Sequence, residues 1–320
     1  MAATSTAGGL ARGRGGLVLV VATALVSGVS TFVNFYAVKG TNSDAFVTMR
    51  NLTTALFLLP VAAAGGVFAA GRLRGVDWAR LAVIGLVGGA IPFLLYFRGL
   101  ELAAQAGGAA TASFAYRTLF LLAAVGAIVY LRERVSWRIT LAAVLLLAGN
   151  ALLLSLTTPL WTDGTGYVLV ATAMWAGEYT LSKRTLRDLP SGTVALGRMG
   201  FGAMFLVGYL ALTAQVGAIG RLSGAQWDWM LVSAVLLTAF VGTWYAGLRR
   251  VDLSVATCVL VLGFPVTWLL GVLFQGDPFL LAQAAGAVVV AVGVGVAVGR
   301  SALADGWRSL VRRFEPRPDA

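Results

Sequence analysis

The chain is a succession of apolar stretches, each about as long as a bilayer is thick. A helix needs about 20 largely apolar residues to cross the hydrocarbon core. Ten stretches meet that length, at roughly 17–38, 45–70, 81–102, 108–131, 139–157, 166–183, 191–213, 227–248, 253–274 and 278–299. The connections between them are short, so no soluble domain is left over. With 59% hydrophobic and only 12% charged residues, the chain lacks the polar surface that a soluble fold needs. The first stretch follows Arg12 and Arg14 and exceeds the length of a secretory signal core, so it is expected to be a retained span. The least defined boundary is "ELAAQAGGAATA", between the third and fourth stretches.

The basic residues test this count independently. With the N-terminus in the cytoplasm, 18 of the 24 Lys and Arg residues fall on inner segments, including Arg72, Arg74, Arg80, Arg132, Arg134, Arg138, Lys183, Arg184, Arg187, Arg249 and Arg250. Lys39, Arg50, Arg98 and Arg221 fall toward the outside, and Arg117 and Arg198 fall within spans. This positive-inside bias predicts ten spans with both termini cytoplasmic. It also accounts for the net charge of +11 without a nucleic-acid partner. The last 21 residues place Leu303, Trp307, Leu310, Val311 and Phe314 at helical spacing beside Arg308 and Arg312, as in an amphipathic helix on the inner leaflet. A solvated tail is the alternative.

Several chemistries are disfavoured. Cys258 is the only cysteine and histidine is absent, so thiolate metal clusters, the common zinc sites and His-based triads are not expected. No phosphate-cradling glycine loop is present, so no nucleotide or other cofactor is expected.

An internal repeat then sets the architecture. "ATALVSGVSTFVNF" (22–35) aligns with "ATAMWAGEYTLSKR" (171–184), "SDAFVTMR" (43–50) with "SGTVALGR" (191–198), and "YFRGLELAA" (96–104) with "WYAGLRRVD" (244–252). "ERVSWRITLAAVLLLAG" (133–149) aligns with "DPFLLAQAAGAVVVAVG" (277–293) once four residues are removed from the second copy. The offsets all lie between 144 and 149. Five spans per copy, an odd number, turn the second copy upside down in the membrane. The fold class expected is therefore an all-α integral membrane protein of ten transmembrane helices, built as two inverted-topology five-helix repeats. Its parts are a cytoplasmic segment 1–16, repeats at 17–157 and 166–299, and a cytoplasmic basic amphipathic tail 300–320. Such a pair of repeats suits alternating access around a site near the midplane.

These residues resemble the EamA-type ten-helix carriers of the drug/metabolite transporter superfamily. The likeness runs from the glycine-containing first helix through Arg50, "GLELAA" and "LRERVS" to Pro265 in "LGFPVTWLLGVLFQGDP" and Gly276-Asp277. It implies a cavity lined by helices 1–4 and 6–9, peripheral helices 5 and 10, and a metabolite carrier, usually an exporter, in a bacterial inner (plasma) membrane. Arg117 departs from the family, because the position equivalent to Pro265 in the first half usually holds a proline or an apolar residue.

Intramembrane charges are costly and generally face a bundle interior. Arg117 is expected to bind an anionic substrate group, a carboxylate being the simplest, through its planar donor fork. The alternative is an arginine satisfied by carbonyls or a nearby acid. Glu178 and Arg198 lie at similar depth and can form a buried pair. A lone Glu178 would instead carry a coupling proton, or merely face the inner water layer. Arg50 is expected to pair with Asp44 or cap Asn34, acting with Arg198 as a gate, or to snorkel as an anchor. Tyr96, Tyr116, Trp175, Tyr179, Trp244, Tyr245 and Trp268 are candidates for an apolar wall around the ligand, with packing or interfacial anchoring as the alternative. The candidates thus divide into substrate binding (Arg117, Tyr96, Tyr116, Trp175, Trp244, Tyr245, Trp268) and coupling or gating (Glu178, Arg198, Arg50, Asn34, Pro265). Gly286, Gly293 and Gly299 permit a homodimer face. The leading expectation is a secondary transporter of a small organic metabolite, an amino acid or related carboxylate. A membrane-embedded enzyme and a non-transporting scaffold or lipid-handling subunit are the alternatives.

Overall fold

A computed structural model describes residues 2–37, 42–64, 73–106, 114–134, 136–154 and 161–299. Lys39, the boundary at 107–113 and the amphipathic tail lie outside the described residues. The described residues form helices and turns without strands. The longer helices are α1 (Ala2–Ala37), α2 (Ser43–Ala64), α3 (Gly75–Ile84), α4 (Ile91–Gln105), α5 (Leu119–Val129), α6 (Trp137–Leu153), α7 (Asp163–Thr185), α8 (Ser191–Leu212), α9 (Gly224–Leu248), α10 (Leu253–Leu260), α11 (Gly263–Phe274) and α12 (Leu281–Val298). A π-helical segment, Gly85–Ala90, joins α3 to α4. Among the described residues, seven segments are long and apolar enough to cross a membrane, and 114–129 and α6 are shorter apolar helices. α7, the most polar of the long helices, carries Asp163, Glu178, Lys183 and Arg184. The protein is a multi-pass membrane protein.

The helices pack in matched pairs. α1 lies along α9 and α7 along α4, while α2 packs on α8 and α6 on α12. The sequence offset maps α1 onto α7 and α9 onto α4, so the first two contacts are one contact made twice. Glycine brings both close. A Cβ on Gly247 would come within 2.7 Å of Val20 in α1, and one on Gly99 within 2.8 Å of the Gly164 carbonyl in α7. Without a hydrophobic drive between helices in lipid, such small-residue contacts supply the packing that holds a bundle together. α6 and α12 cross at Gly149 and Gly286, and Gly293 abuts Leu145 and Leu146. The glycine face of α12 suggested for a homodimer is therefore occupied within the chain.

Three spans depart from the expected outline. The third begins at Gly75 rather than near residue 81, because Asp77 accepts the Arg74 backbone N–H at 3.2 Å and caps the helix start. The fourth is interrupted at Thr118, whose N–H and hydroxyl both turn back to the Ala115 carbonyl. The ninth is interrupted at Val261 and Leu262, just before Pro265, where backbone bonds tighten to the i−3 carbonyl. Proline has no N–H to continue the ladder, which accounts for the second break.

Candidate functional site

The two interrupted helices meet the bundle interior at one place. A small cleft is lined by Tyr116, Arg117, Leu119 and Phe120 around the first break. Thr257, Leu260, Val261, Gly263, Phe264 and Thr267 line it around the second. Ser27 and Thr31 of α1 and Tyr96 of α4 complete the wall. The position equivalent to Pro265 by the repeat offset is Arg117, so a pair of repeat-related positions sits at the two breaks. Discontinuous helices at corresponding places in two repeats are where transporters build their binding sites.

Among the described residues, Arg117 carries the only formal charge on this lining. Its guanidinium lies over the face of Phe264, and its buried Nε has no hydrogen-bond partner. Among the described residues it makes no ion pair with any acid. A cation on an aromatic face retains its positive charge and its donor edge, so the fork remains free for an acceptor from outside. Tyr96, Tyr116 and Trp175 form a mutual cluster with ring centroids 5.2–5.4 Å apart, and Phe93 packs edge-on to Trp175 at 5.3 Å. The two tyrosines face the cleft; Trp175 is buried behind them.

Behind Trp175 lies a second polar centre, fully buried. The sequence "GLVGGAIP" (85–92) explains its origin. Pro92 cannot donate to the carbonyl four residues back, that of Gly88, and the backbone widens into the π-helical segment. The freed Gly88 carbonyl accepts the Trp175 indole N–H and Arg198 Nη2, both at 3.0 Å. The next carbonyl, of Gly89, accepts Asn51 Nδ2 at 2.9 Å. Glycine is required here, since a Cβ on Gly88 would overlap the Glu178 side chain and one on Gly89 the Arg198 backbone.

Glu178 and Arg198 meet in this centre, with Arg198 Nε 3.7 Å from Glu178 Oε2. That distance makes an ion pair but no hydrogen bond, and both atoms lack a hydrogen-bond partner. Glu178 Oε1 accepts the Tyr245 hydroxyl at 2.6 Å and the Ser182 hydroxyl.

Arg50 is also fully buried here, which excludes the snorkelling role. It donates to Asn51 Oδ1 and lies under Phe93, 4.7 Å from the ring centroid. It reaches neither of its expected partners. Asp44 accepts from Tyr209 instead, and Asn34 accepts from Ser233 Oγ at 2.6 Å. The sequence places Arg50 near the helix start, but packing turns it inward, where Asn51 rather than an acid receives it.

At the end of the bundle where α7 terminates, two side chains tie helix ends together. Lys183 Nζ donates to the carbonyls of Leu248 and Val251, at 2.7 and 2.5 Å, where the C-terminus of α9 leaves its carbonyls unsatisfied. Glu133, beyond α5, accepts the Leu253 and Ser254 backbone N–H groups at 2.8 and 3.2 Å and the Ser254 hydroxyl at 2.8 Å. The Glu133 carboxylate thus caps α10 and clasps the two interrupted helices at the end away from Arg117.

The expected site residues therefore separate into groups. Arg117, Tyr96 and Tyr116 line the cleft. Trp175 supports its wall, while Trp244 and Tyr245 are buried against Tyr179 and Glu178. Trp268 is not on the lining, because its indole donates to Gln283 Oε1 at 2.9 Å and its ring packs on Phe279. Pro265 sits between the lining residues Gly263, Phe264 and Thr267 without being one. Side-chain chemistry alone did not single out Ser27, Thr31, Thr257, Thr267 or Phe264. Their signal was positional, one helical turn or less from the breaks or along the facing edge of α1. Gly88 was detectable from Pro92 four residues later.

Two comparisons place the chain. A solved crystal structure, described only as that of a protein, superposes with a TM-score of 0.69 at 19% identity, covering 88% of this chain and 96% of the other. That likeness establishes the shared fold. No curated protein matches the chain. The sequence model of the EamA-like transporter family matches twice, over residues 14–155 and 163–299, nearly the whole length. The paired match, the repeated helix packing and the cleft between two interrupted helices agree: the chain belongs to the EamA-like transporter family, a membrane transporter of the drug/metabolite type.

Proposed function

We propose that the protein is a secondary transporter of a small organic carboxylate, an amino acid or a related acid, and that it exports this substrate by alternating access. The observation that carries the reading is Arg117, a guanidinium without an acid partner in a cleft between the interrupted helices. An arginine kept in a membrane interior at about 2.5–3.5 kcal/mol on insertion scales needs a compensating anion. The substrate carboxylate supplies it, in bidentate contact with the planar donor fork.

Ten spans in two inverted five-helix units, 17–157 and 166–299, give this site its mechanism. The matched contacts of α1 on α9 and α7 on α4 support an approximate two-fold relation between the units. In a bacterial plasma membrane with both termini cytoplasmic, the Lys183 and Glu133 clasps lie at the inner end. They hold α9 and α10 shut there while the substrate site lies toward the outer half. Transport requires the Glu133 contacts to release, because they join the two helices that flank the substrate. Glu178 and Arg198 serve as a static pair that fixes α7 against α8, with Glu178 also accepting the Tyr245 and Ser182 hydroxyls.

The test is counterflow of radiolabelled carboxylates in vesicles containing the purified protein. The wild type is expected to exchange at least one carboxylate and Arg117→Gln to lose about 90% or more of that exchange, consistent with loss of a charge-assisted contact. Exchange of the same substrate at wild-type rate by Arg117→Gln would overturn the assignment.

A further inference from the structure

We infer that the cleft selects a monocarboxylate with an aromatic or bulky apolar body and no α-ammonium group. The inference rests on the carboxylate reading of Arg117 and narrows it.

Among the described residues, the lining holds one positive charge and no carboxylate. The nearby Glu178 is shielded behind Trp175 and already engaged by Tyr245, Ser182 and Arg198. An α-amino acid binding Arg117 through its carboxylate would bring its ammonium to within about 5 Å of the guanidinium, in a low-dielectric site that strengthens their repulsion. Nothing on the lining carries the negative charge to offset it. A dianion fares no better, since Arg50 and Arg198 are buried away from the lining and bound to Asn51 and Gly88.

The remaining polar groups fit an anion with an apolar body. The Thr257 and Thr267 hydroxyls donate to the Leu253 and Gly28 carbonyls, both at 2.9 Å, so their protons are committed within the protein. The Tyr96 and Tyr116 side chains line the cleft with Arg117, and their hydroxyls make no hydrogen bond among the described residues. The rings of Tyr96, Tyr116, Phe120 and Phe264 surround the space beyond. Such surfaces reward flat apolar groups, and each apolar group buried there adds to affinity.

Three matched probes isolate the charge pattern: 3-phenylpropionate (anion), phenylalanine (zwitterion) and phenethylamine (cation). Binding to the purified full-length protein is read as ligand-dependent thermal stabilisation and converted to Kd. The expected result is 3-phenylpropionate binding at least tenfold more tightly than phenylalanine, with phenethylamine not stabilising and Arg117→Gln abolishing the response. Phenylalanine binding as tightly as 3-phenylpropionate, still dependent on Arg117, overturns this inference and leaves the carboxylate site intact. Preference for phenethylamine, or anion binding that survives Arg117→Gln, overturns both. No stabilisation by 3-phenylpropionate up to about 10 mM also overturns the inference, because an affinity weaker than millimolar is too small for a substrate of this site. If Arg117→Gln fails to fold, the ranking of the three probes on the wild type decides the matter.

Discussion

Arg117 and Arg198 are the same residue in the same kind of span, yet the two regions around them are built on opposite principles. Around Arg198 the chain supplies the Gly88 carbonyl, which accepts Nη2, and the carboxylate of Glu178, which is itself held by the Tyr245 hydroxyl. Around Arg117 the chain supplies aromatic faces and hydroxyls but no acid. A charge whose compensation is built in belongs to the architecture. On the function proposed above, one whose compensation is missing is left for the substrate to supply.

Stability measurements can break this contrast, and the largest effect should fall on the buried centre. Arg198→Ala leaves Glu178 buried and uncompensated, which is expected to cost about 3–5 kcal/mol in detergent unfolding. The double change Glu178→Leu with Arg198→Met should recover most of that loss, since apolar groups of similar volume commonly replace a buried pair. Full stability in Arg198→Ala would show that the centre is not structural. At the clasp, Glu133→Gln keeps the acceptor oxygen but loses the charge that strengthens its bonds to α10. The expected loss is smaller, about 1–2 kcal/mol, accompanied by greater labelling of a cysteine placed at Ser254 from the side on which α7 ends. Unchanged labelling would remove the gating role. Arg117→Gln should be the mildest, within about 1 kcal/mol of the wild type, because only the contact with the Phe264 face is lost and no hydrogen bond or ion pair. A loss as large as that of Arg198→Ala would reveal a hidden partner and erase the distinction between the two sites.

Much of the architecture was legible in the sequence because bilayer thickness and the cost of charge in lipid act on composition directly. Stretches of the right length, a basic bias between them and a repeat offset near 148 residues need no packing information. The pairing of Glu178 with Arg198 followed from equal depth in neighbouring spans. Arg50 shows where that reasoning fails. The sequence could place it early in its span, but its direction around the helix, toward Phe93 and Asn51, depends on where α4 lies. Trp268 failed for the same reason, since its helix borders the cleft while its ring turns to α12. Glu133 was noticed only as part of a family-like motif. Its function as a cap appears once α10 begins beside it.

The sequence by itself determined a membrane bundle of two related halves, with Arg117 set apart from the other charges by lying deep in an apolar run. Those properties are additive along the chain, because each residue pays its transfer cost wherever the helix later packs. Tertiary structure decided which of the buried charges have partners. It did so through two prolines that interrupt the backbone, Pro92 exposing the Gly88 carbonyl to Arg198 and Pro265 breaking the helix opposite Arg117. Compensation of a charge is a matter of a few ångströms between elements distant in sequence, and only the packed bundle fixes those distances.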